Sequence, residues 1–147
     1  MKVLVDTNVV MDALLGRDPY FEASNRVLQI CGDKKAEGYL AAHTITNLFY
    51  YLRKHYQNED CRDILLNLFE IFEIEQIDSA KLKTALENKN FKDFEDCLQM
   101  ECASANDAKY IVTRNEKDFV HSIIPSIAPG EFCKLFADEK AEESIHQ

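Results

Sequence analysis

Three groups of acidic side chains in this 147-residue sequence could carry metal chemistry. Asp6 follows a short apolar run, and Asp118 follows a later one. Asp96 lies with Asp93 and Glu95 where a helix is predicted to begin. Carboxylates that crowd together repel one another, and a hard divalent cation such as Mg²⁺ (or Mn²⁺) relieves that repulsion. Such an ion can activate water and offset charge on a phosphate, so the groups suggest phosphodiester chemistry if the fold brings them together.

Each acidic group also has a structural interpretation as a helix cap. Asp6 could cap the first helix, and Asp93 could cap another helix with Asp96 at its third position. Asn115 and Asp118 could cap a short turn in the same way. Taken singly, capping is the commoner use of such residues. The metal hypothesis therefore depends on the fold that positions them.

Short apolar strands alternate with amphipathic helices along the chain, which predicts an α/β fold with a parallel sheet of four to five strands between helices. Strands are predicted at 2–5, 38–42, 71–77, 110–113 and 123–128. Helices are predicted at 9–15, 20–31, 44–56, 58–69, 78–87, 93–105 and 129–136. Ligands of such sheets bind outside the carboxyl ends of the strands. Asp6 ends the first strand, and the 115–118 segment follows the fourth, so both are predicted at that edge.

The composition is that of a globular protein with an acidic surface. There are 26 acidic and 17 basic side chains, a formal charge of −9. This excludes binding of nucleic acid by bulk positive charge. We expect one domain over 1–137 and an acidic tail over 138–147, which has four carboxylates and one lysine. The acidic cluster suggests metal-bridged contact with phosphate instead.

Other function classes lack their signatures. The sequence has no G-x-x-x-x-G-K-[ST] loop, no G-x-G-x-x-G and no G-x-S-x-G. Its five cysteines include no C-x-x-C pair, and Cys61, Cys97 and Cys102 are predicted as buried thiols. With no secretory signal and no apolar run long enough for a membrane, we expect a cytoplasmic protein without membrane contact. His43 is interpreted as a polar residue at a helix entry.

Three segments together resemble the PIN domain family, in the form found in VapC-like toxin ribonucleases. They are residues 3–12, residues 93–97, and residues 110–115 followed by Asp118 and Phe119. The resemblance covers nearly the whole chain. It implies a three-layer α/β/α PIN-like fold and a Mg²⁺- or Mn²⁺-dependent endoribonuclease that hydrolyses RNA. By the same resemblance, the protein would be the toxin of a toxin–antitoxin pair, a homodimer bound by a small antitoxin.

The resemblance also assigns the site residues. Asp6 and Asp96 would be direct metal ligands, and Asp118 would support or complete the metal site. Asn115 would fill an acidic-or-amide position after the fourth strand, and Thr113 would orient Asp6 through its hydroxyl.

Further residues have weaker assignments. Asp12 and Asp93 are weaker candidates for the site, because Asp12 is interpreted as a surface residue and Asp93 as a cap. Arg114 and Lys117 flank the motif and are candidates for contacts with the RNA backbone. Two more basic residues near the expected rim, Arg53 and Lys54, are interpreted as solvated surface charge.

One departure from the family pattern leaves the function open. Asn47 occupies the position in the helix after the second strand where the family has an acidic residue. An amide can coordinate a metal but brings no charge, so a non-catalytic PIN-like module that binds RNA or protein is the alternative function. A third hypothesis, phosphoryl transfer to Asp6, lacks the lysine that such sites have after a later strand.

Overall fold

The computed structural model describes residues 1–137, so the predicted tail at 138–147 lies outside the described residues. The strands are β1 Lys2–Val5, β2 Glu37–Ala41, β3 Glu73–Glu75, β4 Tyr110–Val112 and β5 Ser126–Ile127. They form one parallel sheet in the order β3-β2-β1-β4-β5. The carboxyl end of β1 therefore lies between those of β2 and β4, which confirms the predicted sheet.

Helices cover both faces of the sheet. They are α1 Thr7–Leu15, α2 Phe21–Gly32, α3 Ala42–Leu52, α4 Asn58–Ile71, α5 Ser79–Glu87, α6 Phe94–Ala105 and α7 Pro129–Lys134. Val3 and Val5 of β1 pack with α1, α2, α3, α4 and α7, whereas Leu4 packs with α5 and α6. This alternation follows from the two-residue period of a strand. The predicted three-layer α/β/α architecture is confirmed.

Several element boundaries differ from those predicted. Helix α3 begins directly after β2 and ends at Leu52, because 53–56 form turns whose amides bond back to residues 49–52. The predicted strand at 71–77 shrinks to three residues, since Ile71 ends α4 and the Phe72 amide still donates to the Leu68 carbonyl. Asn58, which the sequence suggests as the cap of α4, is instead the first residue of that helix, and its side chain accepts from Arg62 Nε at 2.8 Å.

The thiols predicted to be buried are buried. Cys61, Cys97 and Cys102 are each 0% exposed. Burial raises the pKa of Cys102 to about 12, which keeps this thiol protonated at neutral pH. Within residues 1–137, no helix combines the length and the hydrophobicity needed to span a bilayer.

Candidate active site

A polar cavity of about 380 Å³ lies at the carboxyl ends of the central strands, where α1, α3 and α6 begin. Carboxylates and carboxamides dominate its lining: Asp6, Glu95, Asp96, Asn8, Asn47, Gln99 and Asn115. The sequence prediction located a site at this edge of the sheet. The structure brings Asp6, Asp96, Asn115 and Asn47 to this one cavity.

Asp6 is held rigidly at the cavity floor. Its backbone amide donates to the Val112 carbonyl at 2.9 Å, which extends the pairing of β1 with β4 beyond the strand. Its carboxylate accepts from the Thr7 amide at 2.8 Å, from Thr113 Oγ1 at 2.8 Å and from Asn8 Nδ2 at 3.2 Å. The bond predicted from Thr113 is therefore present, and so is the predicted cap. The side chain is 6% exposed, and burial raises its pKa in spite of these hydrogen bonds.

Asp96 lies in the first turn of α6, half-buried beside Asp6. Asp93 caps this helix, because its Oδ1 accepts from the Asp96 amide at 2.9 Å. Burial, and after it the neighbouring negative charges of Asp93, Asp6, Asp118 and Glu95, raises the pKa of Asp96 to about 7. None of the ion pairs found in residues 1–137 involves Asp6 or Asp96. Two desolvated carboxylates thus share one cavity, and neither is held in one of these ion pairs.

Asp118 belongs to an adjoining cavity rather than to the first one. It lies in a 3₁₀ helix, Glu116–Phe119, and lines a second space of about 380 Å³ with Asp93 and Lys117. Asp96 lines both spaces. Within residues 1–137, no three His, Cys, Asp or Glu side chains are close enough to hold one metal ion together.

This donor set fits a hexacoordinate hard cation. Mg²⁺ takes one or two direct carboxylates and keeps several water ligands. Asp6 and Asp96 supply two such carboxylates, the amide of Asn115 lines the same cavity, and Asp118 lies near enough to raise the pKa of both. The direct ligand set expected from the structure is therefore Asp6 and Asp96, with Asp118 in a supporting position.

Glu95 contributes the charge that Asn47 lacks. Asn47 Nδ2 donates to Glu95 Oε2 at 3.3 Å, and both side chains line the cavity. A carboxylate from α6 thus lies against the position on α3 where the PIN pattern has an acid. His43 also lines the cavity from the first turn of α3, the helix entry predicted for it, and burial lowers its pKa.

A buried polar network in the wall of the cavity was missed from the sequence. Thr7 Oγ1 and Thr44 Oγ1 are 2.9 Å apart, and Gln99 Nε2 donates to them at 3.2 and 3.1 Å. The network ties α1, α3 and α6 together next to Asp6 in the chain, since Thr7 directly follows it. Gln99 is 2% exposed and is flanked by Leu98 and Met100. A polar side chain on the apolar face of a helix was the signal that could have revealed it.

The surface interpretation of Asp12 is wrong. Asp12 is 0% exposed, and its carboxylate accepts from Arg114 Nε at 2.7 Å. It also lies 3.7 Å from Arg17 Nη1. The Arg114 guanidinium lies 4.3 Å from the centre of the Tyr20 ring, so this side chain is held between Asp12 and Tyr20. Contacts of Arg114 and Lys117 with RNA stay predictions. Lys117 is the better placed of the two, because its side chain is exposed, whereas that of Arg114 is held by Asp12 and Tyr20.

Replacing Asp96 should stabilise the metal-free protein. A carboxyl group with a raised pKa in the folded state makes folding less favourable as pH rises from about 4 to about 7. We therefore expect Asp96→Asn to raise the free energy of unfolding at pH 8 by about 1–2 kcal/mol, allowing for partial exposure. Thermal denaturation in EDTA measures this. The gain should vanish near pH 4, and a loss of stability at pH 8 would contradict it.

Comparison with known proteins agrees with this geometry. The PIN domain family model matches residues 2–117. The sequence is 31% identical over 136 residues to Ribonuclease VapC1 of Aquifex aeolicus (strain VF5), covering 90% of this chain and 94% of that protein.

Solved structures with the same fold include proteins of toxin–antitoxin systems. VapBC2 from Rickettsia felis, bound to a promoter DNA fragment, matches with a TM-score of 0.62 at 22% identity over 87% of this chain and 98% of that one. The Sarcin-Ricin loop cleaving toxin VapC20 of Mycobacterium tuberculosis matches with a TM-score of 0.65 at 11% identity over 83% and 95%. The family model, the sequence relative and the fold agree with one another, and the chain belongs to the PIN domain family.

Proposed function

We propose that this protein is a metal-dependent endoribonuclease. The observation that carries the proposal is the pair of desolvated carboxylates, Asp6 and Asp96, in one cavity at the carboxyl end of the sheet. Leaving such a pair uncompensated costs stability, whereas a bound cation turns the same arrangement into a phosphate-activating site. The relative at 31% identity is named a ribonuclease, which supports RNA as the substrate.

Each site residue has a defined task in this proposal. Asp6 and Asp96 hold Mg²⁺ or Mn²⁺, Asn115 and Asp118 support it, and Thr113 fixes the Asp6 carboxylate in one orientation. The ion, when bound, supplies Lewis-acid activation of water and stabilises charge on the scissile phosphate. Because the protein positions these groups before substrate arrives, little reorganisation is needed during the reaction.

The biological role that we propose is that of a toxin controlled by an antitoxin, acting as a homodimer in the cytoplasm. The support for the antitoxin comes from proteins of the same fold, among them the VapBC2 complex and a toxin–antitoxin complex from Klebsiella pneumoniae. The protein also offers an apolar groove between α3 and α4 in which Leu66 and Phe69 are 64% and 54% exposed. We propose that groove as the surface for a protein partner.

A cleavage assay tests the enzymatic proposal. Purified protein should cut single-stranded or structured RNA with Mg²⁺ or Mn²⁺, and excess EDTA should remove that activity because Asp6 and Asp96 then lack their cation. Readdition of Mn²⁺ should restore cutting. RNA that is bound but left intact at every metal concentration would favour the non-catalytic module suggested by Asn47.

A further inference from the structure

We propose that a rim of aromatic and basic side chains beside the cavity binds single-stranded RNA and leads its backbone to Asp6 and Asp96. This inference rests on the proposed function and adds to it the residues that recognise the substrate. The rim consists of five side chains at the ends of α3 and α1: Tyr50, Tyr51, Arg53, Lys54 and Arg17.

Two tyrosine rings form the exposed aromatic part of the rim. Tyr51 lines the cavity and is 45% exposed, and Tyr50 beside it is 51% exposed. Their ring centres are 5.7 Å apart, and the rings are almost perpendicular. An unstacked base presents a flat face that can lie against such a ring, and this contact works for any base. Tyr51 is placed to stack the nucleotide that enters the cavity.

The basic part of the rim lies against the same rings. The Arg53 guanidinium is 4.2 Å from the centre of the Tyr50 ring. Lys54 Nζ is 5.3 Å from the Tyr50 ring and 5.4 Å from the Tyr51 ring. In a protein with a formal charge of −9, cations gathered beside an acidic cavity are complementary to the phosphates on either side of a bound base. Arg53 and Lys54 are exposed, as their interpretation as surface charge predicts, and the proposal gives that charge a role in binding phosphate.

Arg17 brings a guanidinium to the cavity itself. Gly16, with a φ of 63°, caps the carboxyl end of helix α1, and Arg17 follows directly. The Arg17 side chain is 42% exposed and lines the cavity together with Tyr51. Its contact with Asp12 is long, at 3.7 Å, because Arg114 already occupies that carboxylate at 2.7 Å. The N–H groups of Arg17 can therefore donate hydrogen bonds to a phosphate oxygen, whereas the guanidinium of Arg114 is already paired with Asp12.

The chemistry of the rim favours RNA over a protein partner. It combines basic groups, which can contact the phosphate backbone, with aromatic rings, which can stack on bases. Surfaces that bind single-stranded nucleic acid usually have both. The apolar groove of Leu66 and Phe69, between α3 and α4, is the surface better suited to a protein helix.

Fluorescence anisotropy with a short labelled single-stranded RNA tests the rim. The measurement is made with Asp96→Asn protein, in which the RNA should stay intact. Adding Tyr51→Leu should weaken binding about tenfold, and Tyr51→Phe, which keeps the ring, should change it less than about twofold.

Adding Arg17→Ala should weaken binding and lower the slope of log affinity against log salt by about 0.7. Duplex RNA, which offers no free base face, should not respond to Tyr51→Leu.

Lys109→Ala is the control for loss of one cation, since Lys109 is exposed just before β4, at the opposite edge of the sheet from the cavity. It should leave the affinity and the salt slope unchanged. Unchanged RNA binding in Tyr51→Leu and Arg17→Ala would overturn the inference and assign the rim to a protein partner. Cleavage by the wild-type protein is measured separately. If the wild-type protein cleaves RNA but the Tyr51 and Arg17 substitutions leave RNA affinity unchanged, only the rim proposal is refuted. If these substitutions weaken RNA binding but the wild-type protein does not cleave RNA, only the proposed nuclease activity is refuted.

Discussion

Asp6→Asn should lower the rate of metal-dependent RNA cleavage by at least about 100-fold. The substitution keeps the size of the side chain and its acceptor for the Thr7 amide, which lies 2.8 Å from Oδ1. It removes the negative charge on the oxygen that Thr113 holds at 2.8 Å. The cavity then retains Asp96 as its one direct carboxylate ligand, so Mn²⁺ should bind more weakly. Cleavage rates and Mn²⁺ calorimetry measure the two effects.

Thr113→Val separates charge from orientation at the same carboxylate. It keeps the Asp6 charge and removes the hydroxyl that orients it, so we expect a smaller loss of activity, about tenfold, with Mn²⁺ binding retained. Asp6→Asn protein that keeps more than about a tenth of the wild-type rate would contradict the ligand assignment. A stable fold in both variants, checked by circular dichroism, is required for the comparison.

The positions of Asp6, Asp93 and Asp96 could be predicted because each depends on a pattern of neighbouring residues in the sequence. A buried strand followed by Asp6, and a helix start containing Asp93 and Asp96, put carboxylates at the edge where parallel strands end. The topology then brings them together without further information. The capping interpretation was also correct for Asp6 and Asp93, which each accept an amide of the following helix, but not for Asn115, whose side chain makes no capping bond to the 3₁₀ helix. Capping and ligand binding are compatible, because a carboxylate has two oxygens.

Residues whose role depends on distant partners were not predictable. Asp12 follows three buried residues of α1, and its partner Arg114 lies 102 positions later in the chain. A pattern local to α1 does not show that so distant a cation will meet Asp12 in the interior, which is why Asp12 was interpreted as a surface residue. Asp118 depends likewise on the direction in which a 3₁₀ helix leaves β4, and that direction places it in the adjoining cavity.

Asp12→Ala should lower the free energy of unfolding by about 3 kcal/mol. The substitution removes a fully buried carboxylate and leaves the guanidinium of Arg114, which is 29% exposed, without its 2.7 Å partner. That pair joins α1 to the segment after β4, the two parts of the chain that carry Asp6 and Asn115. The loss should therefore reach the site as well as the fold. Urea denaturation measures the change in stability.

A double-mutant cycle isolates the contribution of the pair. Arg114→Met alone should be about as destabilising as Asp12→Ala, because it leaves the buried carboxylate with only the 3.7 Å contact to Arg17. The double variant Asp12→Ala/Arg114→Met should lose less than the sum of the single losses, since neither charge is then left unpaired. Arg114→Lys should not restore stability, because lysine lacks the planar group that lies over Tyr20. Strictly additive losses would show that Asp12 and Arg114 stabilise the fold separately, and the site would then owe its rigidity to the Thr7, Thr44 and Gln99 network instead.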